Sequence, residues 1–404
     1  MISRLKPNLG KEELTALFKA AKNAVQLFEE EFAQTFNVPE AIAFPYGRSA
    51  LWAFFKTLGI KNAEVVQPAY TCSVVAHATV LSGNIPRFVD ISLYDYNMDL
   101  DKFADAITAQ TQAVIPTHLF GYPINIDQVD EIVRDAEKKL GHKIWVVQDC
   151  AHSFGAEWQG RSVVKAGDAA LFGLGISKLI TSIFGGMLTI NDPALANKIR
   201  RWRDEHFNKT GWLKATLRRM YLIAIYLAFN ETLYGLVYWL QEKTPLLNRL
   251  TKAYHLDEKI HFPPDYLDQM LAVEASVGLA QLKKYPQIIN KRREYAHFYN
   301  DRLQKKTGWK LPPIVNGATY SHYVIRVPDR QRIMRAMASK GVQLGQLIEY
   351  SMPHKIAYSN YAHKEEFPNS LKCSRSLINI PISTSLSLSK REFIVKYINA
   401  YRKI

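Results

Sequence analysis

Between residues 41 and about 150, short apolar runs alternate with helical stretches, and this alternation restricts the folds open to the chain more than any other feature. Strand candidates are 64–67, 87–90, 112–116 and 144–149, and helix candidates are 48–58, 72–82, 101–108 and 127–139. Strands that alternate with helices argue for a mostly parallel sheet with helices on both faces. Ligands of such sheets bind beyond the carboxyl ends of the strands. Asp149 is expected at one of those ends.

The flanking regions complete the outline. Residues 11–36 read as one helix, with Leu14, Leu17, Phe18, Ala21, Val25, Phe28 and Phe32 at helical spacing. A strand-like run from Met187 to Ile190 leads into a helix near 192–206. Residues 270–306 read as one long helix or two, with Pro286 as the break point. A strand near 320–327, a helix at 329–340, a strand near 376–380 and a helix at 389–402 suggest a smaller α+β domain. The 404 residues suffice for two domains. The expected division is a large cofactor-binding domain at 1–206, an insertion at 207–262, and a connecting helix with a small domain at 263–404.

The insertion is rich in aromatic and basic residues. Met220 to Phe229 is apolar, Asn230, Glu231 and Thr232 interrupt, and Leu233 to Leu240 resumes the run. Lys209, Lys214, Arg218 and Arg219 precede it, and Lys243, Arg249 and Lys252 follow. A membrane span needs about 20 apolar residues, so the polar interruption argues against crossing. An interfacial helix or hairpin on anionic lipid, through 212–242, and burial against a partner subunit both remain open. The net charge of +15 suits anionic substrates or a lipid surface. No nucleic-acid motif accompanies it, so no nucleic-acid partner is expected. Cys72, Cys150 and Cys373 form no metal or disulfide pattern, which points to a reducing compartment and no metal site. The first residues lack the apolar core of a signal peptide, so a cytoplasmic location is expected, with peripheral contact to the inner membrane face as the variant.

A lone lysine is ordinarily a surface charge. Lys178 is singled out by its surroundings. Upstream, the apolar run to Asp149 continues through Cys150, Ala151 and His152; downstream stands the pair Gly185-Gly186. A lysine amine forms imines with carbonyls, and pyridoxal phosphate (PLP) enzymes pair it with an acid at the pyridine nitrogen. Lys178 therefore reads as a Schiff-base lysine. Gly47-Arg48-Ser49-Ala50-Leu51 opens a helix, and a helix N-terminus suits a phosphate. Pro68-Ala69-Tyr70-Thr71-Cys72 opens another. Pro116-Thr117-His118-Leu119-Phe120-Gly121-Tyr122-Pro123 follows a strand, and Ala275-Ser276-Val277-Gly278-Leu279-Ala280-Gln281-Leu282 lies on the long helix.

In this order these stretches resemble the DegT/DnrJ/StrS family of sugar aminotransferases, over roughly 10–205 and 268–400. The resemblance implies fold type I: a large domain with a mostly parallel central sheet and a smaller C-terminal α+β domain. It implies a PLP-dependent homodimer that moves an amino group from an amino acid such as glutamate to a keto-sugar, nucleotide-linked, in surface polysaccharide or related amino-sugar biosynthesis. Lys178 would hold PLP and carry the proton, Asp149 would pair with the pyridinium nitrogen, and His152 would lie near the ring oxygen. N–H groups near Gly47, Arg48 and Ser49 would hold the phosphate. His118 and His354 are the substrate-side candidates.

The chain departs from the family at five places. Gly173 replaces a serine five residues before the lysine, Cys72 replaces an aromatic beside the cofactor, and Ile183-Phe184 replaces Gly-Glu. Asp265-Tyr266-Leu267-Asp268-Gln269-Met270 stands where the family has Asn-Tyr-Arg-Met. Arg48, in place of a small residue, would bring charge to the phosphate. Two alternatives stand beside the main reading: a membrane-associated aminotransferase on a lipid-linked or other substrate, and a non-catalytic PLP-fold scaffold or regulator. The pairing of Lys178 with Asp149 favours an enzyme.

Overall fold

The computed structural model describes residues 1–243, 259–361 and 366–401. The chain opens with α1 (Lys11–Phe18), α2 (Ala24–Phe36), β1 (Glu40–Phe44) and α3 (Gly47–Leu58). Then β2 (Glu64–Pro68), α4 (Ser73–Leu81), β3 (Ile85–Val89), α5 (Leu100–Ala106), β4 (Thr111–Val114), α6 (Ile126–Leu140) and β5 (Trp145–Asp149) alternate. A short ladder, β6 (Glu157–Trp158) with β7 (Arg161–Ser162), precedes β8 (Ala169–Gly173) and β9 (Gly186–Ile190). One seven-stranded sheet results, in the order β1-β9-β8-β5-β4-β2-β3. Strands β3, β2, β4, β5 and β8 pair in parallel, and β9 runs antiparallel to β1 and β8. Every residue of β2 and β9 is buried, as expected of strands covered on both faces.

The helices start where the local chemistry allows. The Asp99 side chain accepts from the N–H groups of Asp101 and Lys102, and Asn125 accepts from Gln128. Asp192 caps α7 (Pro193–His206), with proline at its first position, where no N–H is needed. The remaining elements are α8 (Trp212–Ala228), α9 (Tyr234–Lys243), α10 (Ala272–Arg302), β10 (Tyr323–Arg326), α11 (Arg330–Ser339), α12 (Pro368–Ser376), β11 (Leu377–Ile380) and α13 (Leu388–Ala400). Strands β10 and β11 form an antiparallel pair.

One expectation changes. The single helix over 11–36 is two helices, separated at residues 19–23. Leu17 of α1 packs with Val273 and Val277 of α10, whereas Phe28, Phe32 and Phe36 of α2 enter the core under the sheet. Phe28 of α2 also lies against Gly278 of α10, so both helices pack on α10 with the chain turning between them, and Phe18 is left exposed. Residues 272–302, in contrast, form one helix that continues through Pro286. Residues 244–258 of the expected insertion, with Arg249 and Lys252, lie outside the described residues, as does the end of the last expected helix beyond Tyr401.

The N-terminal segment runs beside the C-terminal part of the chain. Ile2 bridges Val342, and the Arg4 N–H donates to Gln343 Oε1 at 3.2 Å.

Candidate active site

Lys178 lies on the loop between β8 and β9. The Ser182 N–H donates to the Leu174 carbonyl at 2.9 Å, and the Leu174 N–H to the Gly185 carbonyl at 2.8 Å. Leu174, Leu179 and Ile180 are buried with Phe32, Phe154 and Phe172. Apolar side chains on either side thus pin the loop, each contributing roughly 1.5–3 kcal/mol by burial. The glycine pair has a steric cause. A Cβ on Gly186 would stand 2.3 Å from the Gly47 nitrogen, so only glycine lets the start of α3 meet β9.

The lysine opens into a cavity of about 530 Å³ at the carboxyl ends of β5 and β8. Asp149, Gly47, Arg48 and Cys72 line the same cavity. Burial pushes the Lys178 amine below its usual value, against the opposing pull of Cys72 and Asp149. A lowered value favours the neutral, nucleophilic amine. Asp149 is buried and shifted upward by that burial, while the Ala151 N–H, donating to Oδ1 at 3.0 Å, and the charge of Lys178 hold it down.

At the other end of the cavity, α3 begins. The Ala50 N–H closes the first turn on the Tyr46 carbonyl at 3.1 Å, and no side chain caps the helix. The N–H groups of Gly47, Arg48 and Ser49 therefore have no acceptor within the helix. The Arg48 guanidinium stands 5.6 Å from the Tyr46 ring centroid, at the same end. A half-buried amine, a buried carboxylate and an open helix N-terminus with an arginine fit PLP. Lys178 would hold its carbonyl carbon, Asp149 its ring nitrogen, and α3 with Arg48 its phosphate. When bound, PLP supplies an electron sink for loss of a proton from the carbon beside the transferred nitrogen. Lys178 would be the group to take and return that proton.

The other expected site residues sit differently. Cys72 precedes α4, whose first N–H, on Ser73, donates to the Tyr350 hydroxyl at 3.0 Å. His152 is not in the cavity wall. Its Nδ1 accepts from the Phe120 N–H at 3.4 Å, and its ring is stacked on Phe120. Burial, Lys178 and His322 together hold it well below its ordinary value. Ser49 turns its hydroxyl to the Tyr266 carbonyl at 2.7 Å. His118 is fully buried: Nε2 is 3.0 Å from Gln148 Oε1, and Nδ1 accepts from the Ile124 N–H at 3.1 Å. Neither nitrogen is left for a substrate. His354 is exposed on a short 3₁₀ turn and does not line the cavity.

The cavity also recruits residues that sequence reasoning missed. Arg4 reaches it from the N-terminal segment. Tyr221, Ile225, Phe229 and Tyr234 of the inserted segment form an apolar wall. His322 lies 4.9 Å from the His152 ring. The apolar run from Met220 hinted at the wall, but nothing in the sequence aimed it at Lys178. Among the described residues, no group of His, Cys, Asp and Glu could hold a metal ion.

The mostly parallel sheet, with half-buried Lys178 and buried Asp149 at its carboxyl edge, is that of the fold type I PLP enzymes. The chain belongs to the DegT/DnrJ/EryC1/StrS aminotransferase family, whose model matches residues 12–233 and 247–399. It is therefore a PLP-dependent aminotransferase. It is 25% identical to the spore coat polysaccharide biosynthesis protein SpsC of Bacillus subtilis, over 94% of this chain and 92% of that one. It is 24% identical to the GDP-perosamine synthase of Escherichia coli O157:H7, over 94% of this chain and 90% of that one. The sugar aminotransferase CalS13 of Micromonospora echinospora superimposes with a TM-score of 0.77 at 19% identity, over 99% of this chain and 100% of that one.

Proposed function

We propose that this aminotransferase moves an amino group from glutamate to a nucleotide-linked keto-sugar, in the making of a surface polysaccharide or related amino sugar. The meeting of Lys178, Asp149 and the open N-terminus of α3 in one cavity carries the reading. In it, Lys178 is the catalytic amine and proton carrier, and Asp149 holds the ring nitrogen. Gly47, Arg48 and the Ser49 N–H receive the phosphate, with Cys72 on the wall beside the ring. Relatives named for spore coat polysaccharide biosynthesis and for GDP-perosamine synthesis support a sugar acceptor. Arg4 and Arg48 leave the cavity cationic, which suits a diphosphate or a donor carboxylate. The active form is a cytoplasmic homodimer, with peripheral membrane contact through 212–242. Residues 1–206 bind the cofactor, and 263–404 hold the connecting helix and small domain.

The visible absorption spectrum of the PLP-loaded protein tests this. A band that bleaches on adding glutamate, and is absent from the Lys178→Ala protein, is expected. A band that forms and ignores every amino acid donor would overturn the reading.

A further inference from the structure

Among the described residues, helix α8 is held from one side only. The Arg218 Nε donates to Glu274 at 2.9 Å and its Nη2 to Asp265 at 2.8 Å, and its guanidinium lies 4.0 Å from the Phe184 ring centroid. Lys214 reaches Asp265 at 2.9 Å and Asp268 at 2.7 Å. The Arg219 Nε donates to the Leu17 carbonyl at 2.8 Å. Beyond these latches, Leu222 is fully buried, and Tyr221 and Ile225 face the Lys178 cavity. The inner face is thus a fixed roof over the site.

The outer face is apolar as well. Leu213, Leu217, Met220 and Leu227 follow one helical stripe, and each is more than half exposed. Trp212 at the head of the stripe is 79% exposed, and α9 extends the patch with Leu236 and Trp239. A contiguous exposed apolar face marks a surface for lipid or for a partner. α8 contains no acidic residue. Where α8 turns into α9, Lys6 and Lys390 flank Glu231 at 3.5 and 2.7 Å, and Lys340 shares the same hollow. The patch is therefore bordered by more positive than negative charge. Tryptophans at the ends of an apolar stripe, beside cations, are the composition of a helix lying in a membrane interface.

We propose that the outer face of α8 and α9 docks on the surface of an anionic bilayer. Among the described residues no helix is long and apolar enough to cross a membrane, so α8 lies in the plane of the interface. Its inner face then holds the Lys178 cavity about one helix diameter, roughly 10 Å, from the lipid. Amino transfer to the nucleotide-linked keto-sugar would then take place beside the bilayer, a conclusion that rests on the aminotransferase reading of the cavity.

The test sediments the full-length, PLP-loaded protein with vesicles of phosphatidylcholine, with and without phosphatidylglycerol. Co-sedimentation with the anionic vesicles is expected, weakened about tenfold or more in the L217E/M220E protein, which keeps its visible cofactor band. Vesicles with brominated acyl chains should also quench the fluorescence of the wild-type protein through Trp212 and Trp239, a readout that needs no variant. Wild-type protein that neither sediments nor is quenched overturns the proposal. So does an L217E/M220E protein that binds as well as wild type. A wild-type dimer that ignores vesicles, and that L217E/M220E splits, would give this face to a second copy instead. Bleaching by glutamate, read on the same samples, reports amino transfer separately from docking.

Discussion

The Gly173 α-carbon faces the side chain of Lys178, and a methyl group placed on it would stand 3.3 Å from Cε. The absence of a side chain there leaves the lysine room to swing. Gly173→Ala is expected to crowd the amine off its preferred rotamer, slowing cofactor capture roughly two- to tenfold. The rate at which the visible band forms on mixing with PLP measures this. An unchanged rate would show that the space is not used.

Lys178→Ala should remove the visible band and lower amino transfer by about two to four orders of magnitude, the range lost with a positioned proton carrier. Single-turnover kinetics with glutamate check it.

Arg48→Ala should weaken PLP binding by roughly ten- to a hundredfold, the worth of a charge-assisted hydrogen bond. The phosphate would then rest on the α3 backbone alone. Equilibrium titration with PLP decides, and full affinity in the variant would remove Arg48 from the phosphate site.

Acid stability has a predicted source in His118. Burial pushes its folded value down to about 4, from the ordinary histidine value of 6.5. Between those values the unfolded chain binds the proton and the folded chain does not, so stability falls as pH drops through this window. The expected loss is roughly 3 kcal/mol between pH 7 and pH 4. Urea unfolding across that range should show a shallower decline in His118→Asn.

Arg218→Ala should destabilise the protein by about 3 kcal/mol, because it strands the buried Glu274 carboxylate. Burial already raises Glu274 to about 7 even with Arg218 beside it. Glu274→Gln should therefore cost less. Denaturant unfolding compares the two, and hydrogen exchange should show α8 opening first in Arg218→Ala.

Much of the fold was legible because its signals are local. The alternation over 41–150 placed β2 to β5 within a residue or two, since side-chain periodicity and burial act on neighbours in the chain. The lysine, the acid-tipped strand and the helix opening at Gly47 were legible for the same reason: each depends on a turn at a strand end. The division of 11–36 into two helices was not legible. It depends on how each half docks on α10, a contact between segments far apart in the chain.

The sequence by itself determined the strand–helix framework and the chemical identity of the central groups, Lys178 and Asp149. Tertiary structure alone decided what surrounds them: Arg4 from the first residues, His322 beside His152, and the α8 wall over the cavity. It also withdrew His118, whose ring nitrogens are both spent on Gln148 and Ile124. The physical reason is range. Periodicity and capping are written between residues a few positions apart, whereas the walls of a cavity are set by packing between segments far apart in the chain.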